Sequence, residues 1–249
     1  MISARILALW TVAAVFIPTG ASAQSNSSPN KGRWVFSATI GGGFPTGRFG
    51  ETDLEADPPK SGNDAGLAFG GDVSYYLNEF LLLGGAISHS RFDLDFGSEE
   101  ESLYPTNIAR TSVTIGEATV RVILARSLPW WKPYAVIGVG FGSPKAEVEY
   151  QDPRAFPDPN PENPPILVSK FESKVDMSVA LSGGVGANIP VARNVAINVE
   201  GRYRNVATEG TDRTDTYTLS EGEVLEVGDK AKSDTQWWDL RAGLTITIP

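Results

Sequence analysis

Strict alternation between apolar and polar residues constrains the fold of this chain more than any other feature. In 195–204, one set of positions is apolar or glycine apart from Tyr203, while the other carries Asn198, Glu200, Arg202 and Arg204. Segments 67–78 and 238–248 show the same period of two. Successive side chains of a strand point to opposite faces, so each segment predicts a β-strand with one apolar and one polar face.

The first residues predict export from the cytoplasm. Arg5 precedes an apolar run at 6–17, and Ala21-Ser22-Ala23 supplies small residues for cleavage before Gln24, as in a secretory signal peptide. The run has about 12 residues, whereas a helix that spans a membrane needs ~20. We therefore expect three parts: a signal peptide at 1–23, a periplasmic N-terminal segment at 24–32 and a folded domain at 33–249.

Composition restricts the class further. The chain has 26 glycines and no cysteine, so an exported domain of this kind must be stabilised without disulfides. Its net charge of −9 argues against a nucleic-acid partner. Glycines or charges interrupt every apolar run after the first, which leaves strands as the candidate membrane-spanning elements.

Short and long connections alternate along the chain. Short ones fall at 78–79, 129–133 and 190–194, and long polar loops are predicted at 44–64, 93–110, 143–172 and 207–234. Seven connections join eight strands, near 33–43, 65–78, 80–92, 111–126, 133–142, 173–189, 194–206 and 235–248. An even strand number with short periplasmic turns and long outer loops is typical of bacterial outer-membrane barrels.

The sign of the charge follows the same division. The four long loops contain 24 acidic and 9 basic residues, whereas the rest of the chain after residue 23 contains 6 acidic and 11 basic ones. We expect the loops to form an acidic extracellular surface that contacts a host surface, a neighbouring cell or cations bound to lipopolysaccharide. Their carboxylates lack a recognised calcium-loop spacing, so no metal site and no cofactor are expected.

Aromatic residues lie near the expected membrane boundaries, where amphipathic rings favour the headgroup level. The predicted interface aromatics are Trp34, Tyr75, Trp130, Trp131, Tyr134, Tyr203 and Trp238.

Several charged residues fall in the middle of predicted strands. An arginine facing lipid at the midplane costs about 2–4 kcal/mol, and the alternation instead directs these side chains into the lumen. Eight strands leave a lumen that side chains can fill, so opposite charges there must pair. The predicted network comprises Asp72, Glu117, Arg121, Glu200, Arg202, Arg204, Asp239 and Arg241. A polar plug is favoured, with a gate, a proton path or a narrow pore as alternatives.

Three segments resemble the OmpA-like and opacity-like eight-stranded outer-membrane proteins. Residues 133–142 (PYAVIGVGFG) resemble their fifth strand, 194–204 (NVAINVEGRYR) their seventh, and 238–245 (WDLRAGLT) their closing strand. The resemblance implies an outer-membrane barrel of structural, adhesive or narrow-pore type, inserted by the barrel-insertion machinery. Such chains usually end in an aromatic residue, whereas this one ends Thr247-Ile248-Pro249.

A barrel enzyme and a secreted lipocalin-like barrel are the alternatives to a non-enzymatic membrane barrel. A barrel enzyme would commonly use a histidine base, but His89 is the only histidine, and its neighbours Ser88 and Ser90 must point to the opposite face of the strand. A secreted lipocalin-like barrel would need an apolar interior and a polar exterior.

The sequence therefore predicts an all-β protein of the cell outer membrane. It is an eight-stranded antiparallel up-and-down transmembrane β-barrel, monomeric and non-enzymatic, whose partners are outer-membrane lipid, lipopolysaccharide and an unidentified surface ligand. Narrow-pore activity remains the alternative function.

Overall fold

The computed structural model describes residues 31–50, 62–95, 106–125, 130–150, 155–156, 166–219, 222–231 and 233–249. The predicted signal peptide and most of the predicted periplasmic segment therefore lie outside the described residues. Thirteen strands are present in the described chain: β1 Trp34–Pro45, β2 Gly62–Asn63, β3 Gly66–Tyr76, β4 Leu81–Asp95, β5 Thr106–Ile123, β6 Lys132–Tyr150, β7 Ala155–Phe156, β8 Ile166–Val175, β9 Ser178–Ala192, β10 Val195–Val206, β11 Asp212–Leu219, β12 Val224–Lys230 and β13 Thr235–Ile248. No helix in the described part of the chain is long and apolar enough to cross a membrane.

Eight of these strands close into an antiparallel barrel, as the alternation and the seven connections predict. The order around the barrel is β1-β3-β4-β5-β6-β9-β10-β13, and β13 pairs with β1 to close it. Up-and-down closure leaves no exposed edge within the membrane, where an unpaired backbone amide would be costly.

The pairing register fixes the tilt of the strands. A hydrogen-bonded row followed once around the barrel returns to β4 ten residues nearer the long-loop end, through Leu81, Val122, Ala135, Val185, Gly201, Leu240, Gly42, Leu67 and Arg91. A stagger of this size requires the strands to tilt, and the tilt of outer-membrane barrels is about 35–45°. Each row therefore rises toward the long-loop end in the order β4, β5, β6.

Two of the predicted long loops are largely strands, and this corrects the sequence interpretation. β6 continues to Tyr150, beyond the predicted end at 142, and its outer half pairs with β8. β11 and β12 form a hairpin that adds to β8. We call the outer ends of β5 and β6 together with β8, β11 and β12 the outer sheet. Polar residues dominate segments 143–172 and 207–234. They therefore lack the strict contrast between a lipid face and a lumen face that predicts the barrel strands.

Burial across the barrel wall is the reverse of that in a soluble barrel. Outward positions carry exposed apolar side chains such as Ile40, Ile87, Val139, Val185 and Leu244, while inward positions carry buried polar and charged ones. This distribution contradicts the lipocalin-like alternative, because an exterior of this kind is soluble only in lipid.

Turn chemistry supports the short connections. The Asn78 side-chain oxygen accepts hydrogen bonds from the backbone amides of Phe80 (2.8 Å) and Leu81 (2.9 Å), which stabilises the turn from β3 to β4. A two-residue turn at Arg193 and Asn194 joins β9 to β10. These turns lie at the end of the barrel that also holds Trp34 and Ile248, which face each other in the β1–β13 pairing.

Candidate functional site: the filled lumen

Four acidic residues and four arginines occupy the middle of the lumen, so their formal charges cancel. We call this group the charge layer. The structure directs all eight side chains into the lumen; seven are buried, and the Asp72 side chain is 12% exposed. Its members are Asp72, Glu117, Arg121, Glu200, Arg202, Arg204, Asp239 and Arg241.

Glu117 lies at the centre of the charge layer. It accepts hydrogen bonds from Arg202 Nη1, from Arg204 Nη1 at 3.0 Å and from Ser182 Oγ at 2.6 Å. β5 contributes Glu117, β9 contributes Ser182 and β10 contributes the two arginines, so three strands are joined through one carboxylate. Charge-assisted bonds of this kind are about twice as strong as neutral ones.

Glu200 organises the side of the charge layer nearer the short turns. Its carboxylate accepts from Tyr134 Oη at 2.9 Å and from Arg202 Nη2 at 3.1 Å. Arg121 lies 3.8 Å from Glu200 Oε2, donates to Asp72 Oδ1 at 3.3 Å and stacks 4.5 Å above the Tyr134 ring centroid. The Tyr134 ring thus adds a cation–π contact to the Arg121 guanidinium, besides its contacts with the two carboxylates.

Asp239 organises the side nearer the long loops. It accepts from Arg204 Nε at 2.5 Å, from Arg241 Nη2 and from Trp237 Nε1 at 2.8 Å. Asp239 is 1% exposed, and these donors, together with Ser90 Oγ at 3.4 Å, compensate the cost of burying its charge.

An apolar cluster closes the lumen on each side of the charge layer. The inner apolar layer, near the short turns, consists of Val35, Tyr76, Leu82, Ile123, Tyr134 and Val136. The outer apolar layer, near the long loops, consists of Phe92, Val113, Ile115, Ala180, Val206 and Trp237. Phe49, from the single-turn 3-10 helix Gly47–Phe49, covers the outer layer with its ring 5.3 Å from Phe92.

The space left between these layers is small. A cavity in the charge layer measures about 10 Å³ and is lined by residues that include Asn198, Glu200 and Arg241. That volume holds about one water molecule. A second cavity of about 230 Å³ lies outside the outer apolar layer, where Phe49, Thr111, Val175, Arg213 and Thr235 contribute to its wall. It is a vestibule rather than a continuation of the lumen.

The predicted interface aromatics divide into two groups. Trp34, Trp130, Trp131 and Trp238 are exposed and Tyr75 and Tyr203 are half-buried. Trp34 pairs with Tyr75 at 5.0 Å, and Tyr203 with Trp238 at 5.3 Å. Their role at the membrane boundary stays a prediction.

The prediction that Tyr134 lies at the membrane boundary is wrong, because its side chain is fully buried in the lumen. It shares its parity in β6 with the buried Val136, while Ile137, Val139 and Phe141 face outward. The alternation within β6 therefore predicts the inward face of Tyr134.

Two aromatic residues of the outer apolar layer are absent from the sequence prediction. Trp237 shares the parity of Asp239, so the alternation could have placed it in the lumen. Phe49 reaches the barrel from outside the alternating segments, and no pattern predicts it.

The outer sheet carries a separate network of half-buried charges. Glu147 Oε2 accepts from Arg110 at 2.8 Å, and Lys170 Nζ lies 3.0 Å from Glu147 Oε1 and 2.6 Å from Glu172 Oε1. Hydrogen bonds from Lys170 and Arg110 lower the pKa of Glu147 to about 2. The pKa of Glu172 is also lowered, by Lys170 and Lys145. This network keeps β5, β6 and β8 joined beyond the barrel.

His89 lies on the outward face of the barrel, away from its neighbours Ser88 and Ser90. Its Nδ1 is 2.9 Å from Thr114 Oγ1 on the outward face, and its ring packs 5.2 Å from Phe69. Ser88 and Ser90 are buried on the lumen side of the same strand. The described residues also contain no group of three or more acidic, histidine or cysteine side chains that could hold a metal ion.

Comparison with known proteins establishes the class of this barrel. The model of the outer membrane protein beta-barrel domain matches residues 11–222. This chain belongs to that family. The outer-membrane barrel accordingly lies in the outer membrane in contact with its lipids, with the short turns at the periplasmic end and the long connections outside the cell.

Solved structures share the fold at low sequence identity. OprG from Pseudomonas aeruginosa is 12% identical with a TM-score of 0.52, and the match covers 89% of this chain and 98% of OprG. A major outer membrane protein from Thermus thermophilus is also 12% identical, with a TM-score of 0.56 and coverage of 86% and 99%. No curated protein matches the sequence. At these identities the likeness concerns the fold alone.

Proposed function

We propose that this outer-membrane barrel is a closed scaffold that presents the outer sheet at the cell surface, and is neither an open pore nor an enzyme. The observation that carries the closure is the neutral charge layer packed between two apolar layers. Continuous water through the lumen would have to displace apolar side chains on both sides and solvate paired arginines. Both steps cost free energy.

Closure predicts the electrical behaviour of the purified protein. In planar lipid bilayers we expect no stable, reproducible conductance steps, because apolar side chains close the lumen on both sides of the charge layer. A 16-stranded porin reconstituted in the same way serves as the positive control, since its channel is water-filled. Stable openings by the folded protein would support the narrow-pore alternative instead.

The outer sheet supports the second half of the proposal. β12 is its edge strand, and all seven of its residues are exposed, including Val224 (59%), Leu225 (50%) and Val227 (44%). An edge strand with free backbone groups and exposed apolar side chains can pair with another chain. Presentation of this edge outside the cell favours contact with a neighbouring cell or a host surface.

Removal of the β11–β12 hairpin tests this role directly. Replacing 212–230 by a short glycine-containing turn should leave the barrel folded, because no barrel strand pairs with β11 or β12. We expect cells that express this variant to lose most of the attachment or autoaggregation that the wild type confers. The control replaces Arg193 by glutamine in the short turn at the opposite end of the barrel and should attach as the wild type does. Equal attachment by the hairpin deletion would contradict the surface role.

A further inference from the structure

We propose that Arg91, Lys145 and Lys174 form a docking row for the phosphate groups of lipopolysaccharide in the outer leaflet. The row faces the lipid and lies away from the β12 edge, so this inference does not rest on the surface role proposed above.

The pairing register places these three cations side by side. Arg91 on β4 faces Ser112 on β5, Ser112 faces Lys145 on β6, and Lys145 faces Lys174 on β8. Directly opposed residues of antiparallel strands share one face of the sheet, and adjacent strands are about 4.8 Å apart. The three side chains therefore lie within roughly 15 Å of one another.

That face is the continuation of the lipid-facing surface. Four residues nearer the periplasm, the same strands expose Ile87 and Phe141, and Phe141 faces the exposed Val179 on β9. Four residues at about 3.3 Å each, along strands tilted by about 40°, raise the cations roughly 10 Å above this apolar row. This height lies in the headgroup region that borders the hydrocarbon core.

The row climbs through that region rather than lying level. Because the strands tilt, each step from β4 to β5 to β6 rises about 3 Å. Arg91 therefore lies nearest the hydrocarbon boundary, and Lys145 and Lys174 lie farther out. Such a ramp can contact phosphates at more than one depth of the headgroup layer.

The charge of the row is unusual for this chain. The net charge is −9, yet no acidic residue stands between these three cations in the register. Within the described residues, Arg91 and Lys174 make no ion pair, and both are exposed. Lys145 lies 3.0 Å from Glu172, but it also faces Lys174 directly. Opposed like charges destabilise a sheet, and a bridging anion would remove that repulsion.

Phosphate matches these side chains chemically. An arginine can bind a phosphate through two parallel hydrogen bonds, and lysines bind it as point charges on flexible stems. Long cationic side chains also keep their stems along apolar surface while the charged end stays in the headgroups. The phosphates of lipopolysaccharide are the anions that surround a protein at this depth outside the cell.

The test measures binding of purified lipid A to the folded barrel in neutral detergent. We expect the triple variant Arg91→Gln, Lys145→Gln, Lys174→Gln to bind bisphosphorylated lipid A at least tenfold more weakly than the wild type. Dephosphorylated lipid A should bind both proteins equally weakly. A heat-dependent mobility shift on gels shows whether each variant is folded. We expect the shift in every variant, because exposed substitutions usually change stability by less than about 0.5 kcal/mol.

The matched control removes the same charge from the short-turn end, through Lys31→Gln, Lys132→Gln and Arg193→Gln. We expect its affinity to stay within twofold of the wild type. An equal loss in both triple variants would show a general charge effect and overturn the proposal. So would unchanged affinity of the docking-row variant, or binding of phosphatidylglycerol vesicles that depends on the row as strongly as binding of lipid A does.

Discussion

Replacement of Glu117 by glutamine should destabilise the barrel by about 3–5 kcal/mol, the usual cost of breaking a buried ion pair on one side. Glu117 accepts from Arg202, Arg204 and Ser182, and the change leaves the charge layer with one uncompensated arginine. Glutamine has nearly the same shape as glutamate, so the loss of stability measures the effect of removing the charge. Urea titration in lipid vesicles, with the folded fraction read from gel mobility, measures it.

A second substitution distinguishes lost pairing from lost packing. The double variant Glu117→Gln, Arg202→Gln restores neutrality, so we expect it to lose less than the sum of the single variants, with a coupling energy of about 1–3 kcal/mol. Glu226→Gln on the exposed β12 strand serves as the surface control and should change stability by less than about 0.5 kcal/mol. Strict additivity of Glu117 and Arg202 would contradict a coupled charge layer.

Gly140→Ala should be comparably damaging, for a steric reason. A Cβ added at Gly140 would lie 2.0 Å from the backbone oxygen of Gly116 and 2.5 Å from Glu117 Cα. Backbone atoms of the neighbouring strand cannot yield as a flexible side chain can, so β5 and β6 would have to separate beside the charge layer. We expect a loss of about 3 kcal/mol or more in the same urea titration.

Gly183→Ala is the matched control for that variant. Gly183 faces Ile137 across the β6–β9 pairing, and a Cβ there meets nothing within 4 Å. Alanine should be neutral or slightly stabilising, because glycine weakens a strand interior. If the two alanine variants were equally stable, close approach of β5 and β6 would not be the reason for glycine at Gly140.

The barrel has a closed lumen, so the part of this molecule that can change in sequence without affecting the transmembrane fold is the outer sheet. The charge layer links β3, β5, β10 and β13 through side chains, which adds to the backbone pairing of the barrel. Among the described residues, the strands of the outer sheet pair with the barrel through β5 and β6 alone. Changes in its outer strands can therefore alter surface contacts without disturbing the transmembrane fold, which is the division that the hairpin deletion tests.

The sequence by itself determined the barrel. Period-two alternation assigned the faces of Glu117, Glu200, Arg202 and Asp239, because lipid and lumen impose opposite polarities on neighbouring positions. The alternation of short and long connections determined the eight strands and their antiparallel order. The same rule also predicts the inward face of Tyr134. The sequence interpretation instead followed the general preference of aromatic residues for the membrane boundary.

Only the tertiary structure decided what lies outside the barrel and how the lumen charges are shared. β8, β11 and β12 extend beyond the barrel, so no strict contrast between lipid and lumen marks them in the sequence. Partner choice among four carboxylates and four arginines depends on the ten-residue stagger, which sets the residues that share a depth in the lumen. The docking row depends on it as well, because Arg91, Lys145 and Lys174 are far apart in the chain and become neighbours only through strand register.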